Sequence, residues 1–204
     1  MATSALKTDT KLELPETLLH WILAAAATGA IAFFCVGLTS YFERSDAKPR
    51  WVRSIHEAGT WLSLAHLAGV IFLQPRSDAF VIAGIVMYTA AVAVFLAAIE
   101  AADRTRLQRM YIDQPLPDRL ITDGPYRWVR HPFYLGYIIG ALAPVVAIDH
   151  FVMPLLSITV VAITVAAAFR EERVWLASPR AEAYREYRRR TGMFLPFIGR
   201  STGR

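Results

Sequence analysis

The chain has 204 residues, of which 55% are hydrophobic and 19% charged, and it carries a net charge of +5. That length holds one or two domains and excludes a large multidomain assembly, while a mean hydropathy of +0.35 and so few charges set it apart from soluble domains, in which about 25% of residues are charged. The single cysteine, Cys35, excludes a disulfide-stapled secreted scaffold and a zinc site made from cysteine pairs. Placed inside an apolar run, Cys35 reads as a small buried hydrophobe rather than a reactive thiol.

The hydrophobic excess sits in runs, and a bilayer core of about 30 Å asks for roughly 20 apolar residues of helix. Thr17 to Phe42 extends for 26 residues without Lys, Arg, Asp or Glu. A cleaved secretion signal has an apolar stretch of only about 7 to 15 residues, so this run is expected to be a retained membrane helix. Ala58 to Leu73 reaches spanning length only if its helix begins near Trp51 and carries Arg53 and Glu57 at the interface. Ala79 to Ile99 is bounded by Asp78 and Glu100. Phe133 to Ile148, 16 residues, and Phe151 to Phe169, 19 residues, are separated only by Asp149 and His150, which predicts a tight helical hairpin. The expected fold is all-α: a polytopic membrane protein with about five transmembrane helices, the last two a hairpin, and a cytosolic C-terminal helical segment.

Charge then orients the chain, because short cytoplasmic segments concentrate Lys and Arg. With five crossings, segments 43–57, 100–132 and 170–204 fall on one side and residues 1–16, 74–78 and 149–150 on the other, with 19 and 3 Lys plus Arg respectively. The N-terminus is therefore expected outside and the C-terminus in the cytosol of a cell that places this protein in its inner membrane. Basic charge is thereby accounted for by topology and by attraction to anionic headgroups; no nucleic-acid partner is expected.

The eleven glycines form neither a G-x-G-x-x-G nor a P-loop pattern, so a cofactor must be held another way. Reactive side chains concentrate in two blocks that flank the final hairpin, Ile121 to Gly136 and Phe169 to Phe197. In the first, Asp123-Gly124-Pro125-Tyr126 reads as a turn, and Pro132 disfavours helix at His131 while suiting the first turn of the next helix. Tyr126, Arg127, Trp128, Arg130 and His131 thus gather at the mouth of the hairpin, with Tyr134 and Gly136 one helical turn in. A helix N-terminus beside Arg and His can seat a carboxylate; the same residues could equally form an interfacial aromatic and basic belt.

The second block opens with Arg170-Glu171-Glu172-Arg173. Neighbours on a helix point about 100° apart, so one carboxylate at most is expected to face a given pocket, where it could hold a cation, accept a proton, or pair with Arg170 or Arg173. Tyr184 and Tyr187 share a helical face, suited to packing or to covering a cofactor. His66, in the middle of the second run, is either a functional intramembrane group or a neutral histidine bonded to a neighbouring helix. His20, His56 and His150 fall near membrane boundaries and point to no chemistry. No pair of histidines or carboxylates has metal-ligand spacing.

Gly124-Pro125-Tyr126-Arg127-Trp128-Val129-Arg130-His131-Pro132-Phe133-Tyr134-Leu135-Gly136 resembles the G-P-Y-x-x-x-R-H-P-x-Y-x-G signature of the isoprenylcysteine carboxyl methyltransferase family and the related phospholipid N-methyltransferases. The second block is similar to the same family's C-terminal pattern in Glu171-Glu172, Leu176, Tyr184-x-x-Tyr187 and Leu195-Pro196-Phe197-Ile198. The resemblance covers about residues 100 to 200. It implies an integral membrane enzyme that transfers a methyl group from S-adenosylmethionine to a lipophilic acceptor entering from the bilayer. Carried over by position, Gly124, Tyr126, Arg130, His131, Tyr134, Tyr184 and Tyr187 would bind the cofactor, with Arg130 and His131 near its carboxylate. Glu171 or Glu172 would lie by the reacting centre, and Arg170 or Arg173 could orient a carboxylate acceptor. Residues 1–100 would be a three-helix membrane region and 101–204 the catalytic and cofactor-binding region. One departure is that Arg180-Ala181 stands where family members often have Phe-Gly. Competing readings are an NADPH-dependent membrane reductase of the sterol type and a non-enzymatic membrane scaffold.

Overall fold

The computed structural model describes residues 16–40, 50–102 and 120–196, with side chains for 18–37, 57–102 and 120–196. Among the described residues there are six α-helices, α1 (Glu16–Ser40), α2 (Arg50–Phe72), α3 (Asp78–Ala101), α4 (Pro132–Ala147), α5 (Val152–Leu176) and α6 (Ala181–Arg190), and a 3-10 turn at Gly124–Arg127. The side chains of Arg53 and His56 lie outside this set. Three helices are long and apolar enough to cross a membrane: Leu18–Gly37 within α1, α3, and α5. The protein is an integral membrane protein built on them. α2 carries Arg50, Arg53 and Glu57, and α4 is a shorter apolar helix of 16 residues, about 24 Å of rise.

Each boundary has a local cause. Asp78 sits in the first turn of α3, where a carboxylate complements the helix dipole. Pro132 is the first residue of α4, the position where its missing N–H costs nothing. α5 continues past the apolar run to Leu176, so that Glu171 and Glu172 extend a membrane helix instead of following it.

The helices pack through small residues, as membrane helices do when little apolar surface area can be gained by association. A Cβ on Gly136 would lie 3.1 Å from the Ala91 carbonyl oxygen, so α3 and α4 touch backbone to backbone there. One core joins Leu23, Val70, Val81, Tyr88, Ala143 and Met153; a second joins Phe95, Ala98, Ile99, Ile121 and Tyr126. Trp21, Val86, Leu155 and Ile158 stand exposed on the outside, where an apolar phase must receive them. Cys35 is exposed as well, which corrects the expectation of a buried residue: α1 is apolar on every face, and its sequence carries no sign of which face turns inward.

The α2–α3 and α4–α5 connections meet at one end of the bundle. Arg76 N–H donates to Ala147 O (2.8 Å), Asp149 N–H donates to Gln74 O (3.1 Å), and Arg76 pairs with Asp149 at 3.1 Å. His66 is buried, with Nε2 3.1 Å from Ser157 Oγ, which donates to Ala141 O at 2.5 Å. This polar link between α2, α5 and α4 matches the reading of His66 as a histidine bonded to a neighbouring helix. His20 Nε2 lies 2.6 Å from Val70 O, and His150 Nδ1 accepts from Val152 N–H.

Gly124 has φ +56°, and a Cβ there would meet the Ala101 Cβ at 2.8 Å. Gly124→Ala is therefore expected to destabilise the protein by about 1–3 kcal/mol. Gly29→Ala, with nothing within 4 Å of the added Cβ, should leave stability equal or slightly higher. Thermal unfolding of both variants in detergent checks this.

Candidate active site

At the end of the bundle opposite the Arg76–Asp149 pair, the two polar blocks come together. The turn at Gly124–Arg127 places Tyr126 inward and leaves Arg127 and Trp128 outside, the guanidinium 5.0 Å above the indole. The chain after α6 then pairs with residues 129–131: Val129 and Gly192 form a parallel bridge, Arg130 N–H donates to Gly192 O (2.8 Å) and His131 N–H to Met193 O (3.2 Å). Backbone donors just ahead of α4 are satisfied in this way, as buried amides must be.

Side chains tighten the closure. Arg130 donates from Nε to Glu172 Oε1 at 2.8 Å, approaches the same oxygen through Nη2 at 2.7 Å, and donates from Nη1 to Thr191 O. The pair is buried, the two side chains being 9% and 5% exposed. Arg188 reaches Glu172 Oε2 at 3.4 Å from a position 41% exposed. Both oxygens of Glu172 are thus engaged. Glu172 therefore pairs with an arginine 42 residues earlier in the chain rather than with its helical neighbours. Arg173 is exposed and Arg170 half-buried on other faces of α5.

His131 stands between the two carboxylates. Its Nε2 is 3.4 Å from Glu172 Oε1 and its Nδ1 3.9 Å from Glu171 Oε2. One planar imidazole thus presents its two nitrogens toward both adjacent glutamates. Tyr134 stacks on His131 at 5.4 Å between centroids, and the Phe194 ring lies 6.0 Å away. Glu171 also receives hydrogen bonds from the Tyr134 and Trp175 side chains.

Aromatic packing holds α6. Trp175 and Tyr184 stack at 5.5 Å with an 11° interplanar angle, and Tyr187 Oη donates to Tyr126 O at 2.6 Å. Ser178 orders the preceding turn by accepting from Arg180 N–H at 3.1 Å, and Arg180 has φ −101°. Arg180-Ala181 therefore forms the connection into α6 without a glycine. Burial pushes the Tyr184 and Tyr187 hydroxyls above the ordinary range; Glu172 adds to the shift of Tyr184, and Arg130 opposes that of Tyr187. Burial, then Glu171, raises Tyr126.

Tyr126 Oη is buried without a hydrogen-bond partner, the one such side-chain atom among the described residues. An orphaned hydroxyl of this kind costs about 1–3 kcal/mol, and the Glu171 charge acts on it. Sequence reasoning missed Trp175, Arg188 and the carbonyls of 191–193. Trp175 lies four residues after Glu171 and Arg188 four after Tyr184, so helical spacing could have flagged both; backbone carbonyls carry no such mark.

Arg130→Ala strands Glu172 in a buried setting and is expected to cost about 3–5 kcal/mol of stability, whereas Arg188→Ala, at a half-exposed pair, should cost about 1 kcal/mol or less. Denaturation of the two variants side by side measures the difference. Because Tyr126, Tyr184 and Tyr187 have raised values in the folded state, their stabilising contribution is complete below the ordinary tyrosine value of about 10 and is lost as pH rises beyond it. Phenolate absorbance from these three should appear together with unfolding during an alkaline titration, not before it.

Residues 81–178 match the family model described as "Isoprenylcysteine carboxyl methyltransferase (ICMT) family", just under half of the chain. The match takes in α3, the turn, α4 and α5 with both glutamates, and stops before Tyr184. A methanethiol S-methyltransferase of Crocosphaera subtropica is 33% identical over 87 residues, 42% of this chain and 32% of that protein. The protein-S-isoprenylcysteine O-methyltransferase of Schizosaccharomyces pombe is 34% identical over 79 residues, 39% of this chain and 34% of that protein. The cobalt-zinc-cadmium resistance protein CzcN of Cupriavidus metallidurans is 28% identical over 144 residues, 69% and 64% of the two chains. The matched segment spans about a third of the length of the first two relatives.

Proposed function

We propose that this chain, which carries the isoprenylcysteine carboxyl methyltransferase family pattern over residues 81–178, is a membrane methyltransferase that uses S-adenosylmethionine to methylate a lipophilic acceptor. The observation that carries the reading is the orphaned Tyr126 hydroxyl, on which the Glu171 charge acts. These residues fit the donor: a buried hydroxyl wanting a partner, a carboxylate in Glu171 for positive charge, and His131 for negative charge. When bound, S-adenosylmethionine supplies a methyl group already activated on a sulfonium.

The protein's own task is then placement and proton handling. Tyr126, His131, Tyr134, Tyr184 and Tyr187 hold the donor, with Gly124 shaping the turn that presents Tyr126. Arg130 positions the site through Glu172 and the Thr191 carbonyl. A thiol or amine acceptor releases a proton as it takes the methyl group, and Glu171 is the group to receive it, since Glu172 has both oxygens committed. A carboxylate acceptor needs no base. The relatives' names include methanethiol and isoprenylcysteine, so thiol and carboxylate acceptors both belong to the proposal. Five crossings, with α4 and α5 a hairpin and the site on the cytosolic face of the inner membrane, complete it. Residues 101–204 would supply the chemistry and 1–100 the membrane frame.

The first test is ligand stabilisation. S-adenosylhomocysteine should raise the melting temperature of the detergent-purified protein and NADPH should not; the opposite pattern overturns the reading. Tyr126→Phe removes the orphaned hydroxyl and should raise the stability of the free protein by about 1 kcal/mol while weakening the effect of S-adenosylhomocysteine. Incubation with radiolabelled donor and lipid extract or thiols, followed by mild alkali, separates esters from S- or N-methyl products. Glu171→Gln should lower transfer to a thiol or amine about 100-fold or more with folding intact.

A further inference from the structure

The Tyr126 ring rests on a stack of aromatic side chains. Beneath the Tyr126 ring lies Phe133, 6.5 Å between centroids, and beneath that Phe95, at 4.9 Å and edge-on. Phe95 is completely buried, and it also meets Phe33, Phe34 and Tyr137 at 5.6, 5.1 and 5.5 Å. Five aromatic rings from α1, α3 and α4 therefore interlock below the turn.

The helices around these rings approach them closely at two glycines. On α1, a Cβ on Gly37 would lie 2.7 Å from the Phe95 ring. On α4, Gly136 brings the backbone against Ala91 of α3, with Phe95 Cβ at 3.5 Å from its built Cβ. The seam between α1, α3 and α4 is thus closed by ring volume where side chains are large and by backbone contact where they are small. An acceptor tail reaching from the reacting centre toward the bilayer centre along this seam would have to occupy the place of a ring.

Resting on the methyltransferase reading, we propose that Phe95 is a specificity-determining residue: with Phe133 it closes the α1–α3–α4 seam beneath Tyr126 and limits the acceptor to a short apolar group. The physical basis is that close-packed interiors have no room for extra methylenes without displacing a side chain. Rings held edge to face on several sides resist that displacement.

The test uses a thiol series, methanethiol, butanethiol and decanethiol, with radiolabelled S-adenosylmethionine and the full-length protein in detergent. Wild type should prefer butanethiol or methanethiol over decanethiol by roughly tenfold or more in kcat/KM, and Phe95→Ala should remove most of that preference. Phe95→Leu, which keeps bulk without the ring, guards against a folding failure and should give an intermediate profile. Stabilisation by S-adenosylhomocysteine reports an intact donor site in each variant. Equal rates on butanethiol and decanethiol in wild type overturn the proposal while leaving the methyltransferase reading standing. So does an unchanged profile in a variant that is still stabilised. If no thiol is methylated, alkanoic acids and alkylamines of matching lengths replace the series; transfer to none of the three overturns both readings.

Discussion

The buried contact between Arg130 and Glu172 is the constraint on which the site depends. A guanidinium and a carboxylate this far out of water are tolerated only when each is fully partnered, and here Arg130 binds Glu172 and the Thr191 carbonyl while Glu172 also takes His131 and Arg188. Each partner arrives on a different piece of chain: the turn before α4, the end of α5, α6 and the segment after it. The ion pair therefore specifies an arrangement more than it stabilises one. Beside it, the segment after α6 is held against residues 129–131 by two backbone hydrogen bonds and by the Phe194 ring on His131.

That arrangement divides two carboxylates that look equivalent. Glu172 faces Arg130 and is saturated, whereas Glu171, one position earlier, faces Tyr134, Trp175 and one edge of His131. His131 touches both and so couples the structural pair to the open side. Glu171 is thus the less committed of the two carboxylates, and among the described residues the Tyr126 hydroxyl is the buried side-chain group left unsatisfied.

Membrane packing supplies the frame. With an apolar phase outside, the helices gain little from hiding leucines, and their association rests on close approach and on a few polar links. Gly136 against Ala91 and the His66–Ser157–Ala141 chain are examples of each. Where side chains are large, Phe95 and its neighbours fill the seam with rings. The same close packing that holds α3 and α4 together therefore shapes the floor of the site.

Much of this was legible in order along the chain. The apolar runs marked α1, α3, α4 and α5, because a bilayer demands length and hydrophobicity that nothing else does. Pro132 marked the start of α4, and the clustering of Tyr126, Arg130, His131, Glu171 and Glu172 marked the site. What the sequence could not decide was direction. A helix apolar on all sides has no periodic signal to tell its inner face from its outer, which is why Cys35 proved exposed and why Phe95 gave no hint of its place at the centre. Which glutamate meets which cation, and which carbonyls complete Arg130, depend on groups dozens of residues apart or on backbone atoms common to every residue. Those were settled only when the helices packed, since burial alone makes an unpaired charge too costly to leave where it is.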